Sequence, residues 1–159
     1  MARQRRIVAF MGTRPEAIKL APVVSALQAS DRLECAVVAT GQHREMFSQV
    51  AEQFGFPVCA NLDVMQNNQT LASLTARLMQ RIDAYLESAG PDMALVQGDT
   101  TTVLVAALAC FYRRIPIGHV EAGLRTGNIW SPFPEEAVSN SRRTVPPQAP
   151  RATVPPRCR

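Results

Sequence analysis

Lysine is nearly missing from this chain: Lys19 is the only one among 17 basic residues. That reflects mainly a bias toward arginine, yet the one lysine retained sits inside the most informative motif. No apolar run approaches the roughly 18 residues that a membrane helix needs, so a membrane span is not expected. The four cysteines, Cys35, Cys59, Cys110 and Cys158, form no CxxC pair and show no metal-ligand spacing. Cys35 falls in a strand-like run and Cys110 in a helix-like run, so reduced, buried thiols are expected and no metal is. Neither GxGxxG nor GxxxxGK[ST] occurs, which leaves a nicotinamide cofactor and a P-loop ATPase unsupported. There is no internal repeat.

Acidic residues are missing from one stretch only. Residues 138–159 hold Arg142, Arg143, Arg151, Arg157 and Arg159 and no acid, and they account for the formal charge of +4. Without those five arginines, twelve basic residues face thirteen acidic ones. A basic body would point to nucleic acid; this body is not basic, and no nucleic-acid partner is expected. The same 22 residues hold five of the 12 prolines and no Leu, Ile or Phe, a composition that cannot bury enough surface to fold. The expected organisation is therefore a folded unit over 1–137 and a disordered Pro/Arg-rich tail over 138–159.

At the other end, Arg3-Gln4-Arg5-Arg6 followed by Ile7 to Met11 imitates a signal peptide. The apolar stretch is too short, however, and runs into Arg14 without a small-residue cleavage site. A first β-strand is expected instead, and with it a cytoplasmic location.

What is present is a regular alternation. Strand-like runs occur at Ile7–Met11, Leu33–Ala39, Met93–Val96 and Ile117–Val120. Between them lie helical patterns: one through Ile18, Leu20, Val23, Val24 and Leu27, one over Arg44–Phe54 through Met46, Val50 and Phe54, one over Leu71–Leu86, and one over Thr101–Tyr112. Pro22 must kink the first helix or sit in its first turn. Asn61–Asn68 reads as a loop or short strand. Such alternation predicts βαβ units on a parallel sheet, a three-layer α/β domain.

Four fragments stand at the ends of these strands: Gly12-Thr13-Arg14-Pro15-Glu16-Ala17-Ile18-Lys19, Gly41-Gln42-His43-Arg44-Glu45-Met46, Gly98-Asp99-Thr100-Thr101-Thr102 and His119-Val120-Glu121-Ala122-Gly123-Leu124-Arg125. The carboxyl ends of parallel strands share one edge, where ligands bind. Arg14, Lys19, His43, Asp99, Glu121 and Arg125 are therefore expected in one cleft. Mixed carboxylates and cations suit a charged small molecule and acid–base chemistry. The amino end of the first helix is expected to offer free N–H groups to an anion, with Arg14 and Lys19 adding charge. Asp99 has a competing structural role as a helix N-cap. Glu135 and Glu136 follow Pro134 and suit a first helical turn. His119 is read as structural, with its side chain on the face opposite Glu121.

These strings, together with Ser131-Pro132-Phe133-Pro134-Glu135-Glu136, resemble the non-hydrolysing UDP-N-acetylglucosamine 2-epimerases over about residues 7–137. The resemblance implies a Rossmann-like domain, the N-terminal half of a two-domain, glycosyltransferase-B-like architecture with the active site between the halves. It implies an isomerase that needs no cofactor and works on UDP-N-acetylglucosamine, with homodimeric full-length relatives. UDP is eliminated to give a 2-acetamidoglucal and then added back, yielding the mannosamine epimer for polysaccharide synthesis. Asp99, Glu121 and Glu135 match the family's active-site acids and Lys19 its active-site lysine. Arg14, Lys19, Gln42, His43, Gln69 and Arg125 fall at substrate-binding places. In bacterial members the region of Gln42 and His43, joined by Gln69, lies by a second, activating UDP-N-acetylglucosamine molecule. The pattern breaks at Val138-Ser139-Asn140-Ser141, where the family continues into a helix; a frameshifted end is the favoured reading, a natural tail the other. The alternative function is an inactive N-terminal fragment that at most binds nucleotide sugar weakly.

Overall fold

The structure, a computed structural model, describes residues 3–41, 44–120 and 128. Five parallel strands alternate with four helices: β1 (Arg5–Met11), α1 (Arg14–Gln28), β2 (Leu33–Ala39), α2 (Arg44–Phe54), β3 (Val58–Asn61), α3 (Leu71–Ala89), β4 (Met93–Gln97), α4 (Thr101–Tyr112) and β5 (Ile117–Val120). The sheet order is β3-β2-β1-β4-β5. The chain moves outward from β1 to β3, then returns through α3 to place β4 on the other side of β1. The direction of winding therefore reverses between β1 and β4. In a doubly wound sheet that reversal opens the ligand crevice.

The core has two halves, one on each face of the sheet, because side chains alternate along a strand. From β1, Ile7, Ala9 and Met11 pack toward α1 and α2, and Val8 and Phe10 toward α3 and α4. A strand buried on both faces needs an unbroken apolar run rather than an alternating one, which Ile7 to Met11 supplies. Phe10 meets Tyr85 of α3 edge to face, with ring centroids 6.1 Å apart. The architecture is the three-layer, Rossmann-like α/β domain that the alternation implies.

Several local expectations change. Ile18 is exposed, and α1 buries Ala17, Leu20, Ala21 and Val24 instead; the two alanines let the helix axis come close to the sheet. Pro22 does not end α1, which runs on to Gln28, and Pro15 takes the first-turn position. In α2 the buried residues are Phe47, Val50 and Ala51, while Phe54 faces out. After Asn61 the Asn61–Asn68 stretch is a loop, one of its two expected readings, and a short strand, Val58–Asn61, precedes it. It is a four-residue edge strand with Val58 and Cys59 exposed, so it has no apolar run to betray it. Helix α3 extends past Leu86 to Ala89 and is closed by Gly90 in the left-handed conformation, whose N–H bonds to Leu86 O at 3.0 Å. Cys35 and Cys110 are buried free thiols as expected, but Cys59 is exposed.

Candidate functional site

The edge formed by the carboxyl ends of β1 and β4 is built by two short loops. Gly12 and Thr13 join β1 to α1; Gly98, Asp99 and Thr100 join β4 to α4. Gly12 is required for space. A Cβ there would stand 2.5 Å from Thr102 Oγ1 and 2.9 Å from Thr40 Oγ1. Those two buried hydroxyls are 3.1 Å apart and bridge the ends of β2 and α4 beneath the glycine.

Glu16 links the two loops. It is buried, and its carboxylate accepts from Gly12 N–H, from Thr13 N–H at 2.7 Å and from the Thr100 hydroxyl at 2.5 Å. Burial raises its pKa above the usual glutamate value, against the pull of the bonds from Thr100, Gly12 and Thr13. This arrangement corrects one expectation. The amino end of α1 is not an open anion site, because Glu16 itself supplies the carboxylate: Thr13 and Glu16 form a capping box. Glu16 was absent from the expected site residues, although the Thr-x-x-Glu spacing that signals it is plain in the sequence.

A second correction concerns Asp99. It does not cap α4. Thr100 is the N-cap, its hydroxyl accepting from Val103 N–H at 3.4 Å while donating to Glu16. Asp99 is half-buried at the crevice and is relieved of the structural duty its type and position suggested.

Arg14 is the first residue of α1 and Lys19 lies one turn further; both are exposed. Arg14 opens α1 beside the Gly12-Thr13 loop and Asp99 lies in the β4–α4 loop, and the Glu16–Thr100 bond joins these two loops; Lys19 lies in the second turn of α1. Gln69 lies in the loop between β3 and α3, two residues before α3 begins. Its carboxamide is engaged in its own loop, accepting from Gln66 N–H at 3.2 Å and from Arg77 Nη1 at 3.1 Å. Arg77 also donates to Val64 O and Gln66 Oε1, both at 2.7 Å, and so pins that loop to α3. Gln42, His43, Glu121, Arg125 and Glu135 lie outside the described residues, as does the 138–159 segment.

His119 needs a third correction. Residues 119 and 121 are two apart, and a strand repeats its facing every two residues, so their spacing gives no ground for opposite faces; Glu121 itself lies outside the described residues. The His119 ring reaches the crevice edge, with Nε2 2.8 Å from Gly98 O. A carbonyl oxygen only accepts, so Nε2 carries the proton in this bond.

No helix among the described residues is long and apolar enough to cross a membrane. A family model described as UDP-N-acetylglucosamine 2-epimerase matches residues 25–145. The UDP-N-acetylglucosamine 2-epimerase of Yersinia pestis is 52% identical over 132 residues, 83% of this chain. That of Escherichia coli strain K12 is 49% identical over the same length. Among solved structures, the UDP-GlcNAc 2-epimerase of Neisseria meningitidis bound to UDP-GlcNAc superimposes with a TM-score of 0.83 at 44% identity, over 88% of this chain and 38% of that one. The chain spans about a third, 35–36%, of the length of the curated relatives it matches.

Proposed function

The chain belongs to the UDP-N-acetylglucosamine 2-epimerase family, and we propose that it carries the acid–base half of that reaction, the interconversion of UDP-N-acetylglucosamine and UDP-N-acetylmannosamine. The observation that carries this reading is Asp99. It stands at the carboxyl end of β4, beside the reversal of winding, and Thr100 does the capping that would otherwise explain it.

Carbon 2 of the sugar bears a weakly acidic proton, so direct removal is hard. Elimination of UDP followed by re-addition gives a lower path, and it calls for acid–base groups on both faces of the sugar. In this reading Asp99, Glu121 and Glu135 supply them, each able to give and take a proton with a pKa set by its surroundings. Lys19, with Arg14 and Arg125, balances the charge of the departing diphosphate. Gln42, His43 and Gln69 serve nucleotide-sugar contacts. Because the amino end of α1 is occupied by Glu16, the diphosphate is held by cationic side chains rather than by that helix terminus.

The chain's length favours a limited role for it in isolation. With about a third of its relatives' length, it is proposed to hold nucleotide sugar weakly and to turn it over slowly. A cleft open to water weakens each electrostatic contribution, and loose placement of UDP costs further orders of magnitude. The test has two arms. Titration of the 15N-labelled chain with UDP-N-acetylglucosamine is expected to shift the amides of residues 12–19 and 98–102. Incubation with the same compound is expected to release UDP and mannosamine epimer far below the roughly 1 per second or more of an ordinary enzyme. Shifts confined to other parts of the sheet would overturn the site; turnover at an ordinary rate would overturn the limited role.

A further inference from the structure

We propose that Glu16 and His119 are the positioning residues of Asp99, holding the Gly98-Asp99-Thr100 turn from its two sides. The inference rests on the reading of Asp99 as an acid–base group. Gly98 brings no side chain to pack the turn in place. Gly98 adopts φ +82°, and nothing lies within 4 Å of where its Cβ would be. Two hydrogen bonds do the fixing instead, one from β5 and one from the first turn of α1. On one flank His119, from β5, donates to Gly98 O at 2.8 Å. On the other the Thr100 hydroxyl donates to Glu16 Oε1 at 2.5 Å. Strands β1 and β5 are the two neighbours of β4 in the sheet, so Asp99 sits between anchors set by both of them.

The anchors are themselves rigid. Glu16 is buried and tied to Gly12 N–H and Thr13 N–H. His119 is carried by the β4–β5 ladder, where it pairs with Val96. Catalytic groups need placement within about half an ångström, and supporting hydrogen bonds supply it.

The test reads Asp99 directly and requires no ligand. In the 159-residue chain, the Hα–Hβ couplings of Asp99 report whether its side chain keeps one rotamer, and amide exchange at Asp99 and Thr100 reports the turn. Thr100→Val and His119→Phe are each expected to average the couplings. They should also speed exchange about tenfold or more, the factor that one bond to a charged or well-aligned partner supplies. Thr100→Ser and His119→Gln keep a donor and are expected to restore both readouts. Glu16→Gln combined with Thr100→Val should add little to Thr100→Val alone, because Glu16 acts through that hydroxyl. Unchanged Asp99 couplings in both loss variants would overturn the proposal. So would exchange that rises equally at Val8 and Val96 of the central strands, since the two residues would then support the sheet and not the turn. Failure of the chain to bind UDP-N-acetylglucosamine would overturn the functional reading while leaving these couplings as they are.

Discussion

Glu16 shows how one buried side chain can set several properties together. Replacing it by alanine leaves the buried Gly12 N–H and the Thr13 N–H without partners, and is expected to cost about 2–4 kcal/mol in urea unfolding at neutral pH. Its pH signature has a definite sign. Burial raises the folded-state pKa above the ordinary glutamate value of 4.5. The contribution is therefore fully present below that value and is lost as pH rises through the folded pKa. Wild type should lose more stability than Glu16→Gln as pH rises above 4.5; parallel curves would refute the linkage. The thiols separate along similar lines. Burial pushes Cys35 up to about 11, helped by the nearby Cys59 thiol, and pushes Cys110 up to about 12. Alkylation at about pH 8, mapped by mass spectrometry, is expected to mark the exposed Cys59 well before the buried Cys35 and Cys110.

Among the elements, α3 and α4 depend on their amino-terminal threonines. Thr70 accepts from Ser73 N–H at 3.1 Å at the start of α3. Thr70→Ala should cost about 1 kcal/mol of stability, the usual price of a lost N-cap. Thr100 fills the same place in α4 but also binds Glu16, so Thr100→Ala should cost more than Thr70→Ala in the same assay. The opposite ranking would mean that the Glu16 bond contributes nothing. At their other ends the two helices are joined by Arg113 and Asp83, with Nη2–Oδ2 at 2.8 Å. The Arg113 guanidinium hydrogen-bonds Asp83 and holds its carboxyl below the usual range. That is a peripheral brace, far along α4 from the crevice.

For the whole molecule, the sheet between two helical layers makes β1 the common wall of both half-cores. Phe10 is fully buried on the α3 side, against Tyr85. Phe10→Ala is expected to cost about 3–5 kcal/mol, enough to unfold much of a marginal domain at 37 °C, as thermal melts would show. The conservative Phe10→Leu should keep a cooperative transition at a lower midpoint.

The layer architecture was legible in the sequence because each link of the βαβ chain leaves a periodic trace: the apolar run of Ile7 to Met11, the spacing of Leu74, Leu78 and Ile82, and Gly90-Pro91 after α3. The edge strand Val58–Asn61 left none, since half-exposed four-residue strands carry no distinct pattern. Of the site, the sequence placed Arg14 and Asp99 just beyond strand ends, and parallel strands oblige those ends to share an edge. It could not say that Thr100 bonds Glu16 or that His119 reaches Gly98. Those are contacts between residues up to 84 positions apart. Sequence patterns report what each segment buries; only the closed sheet decides which loops meet. That meeting turned Glu16 from a residue of the first loop into the link between the two loops that frame the crevice.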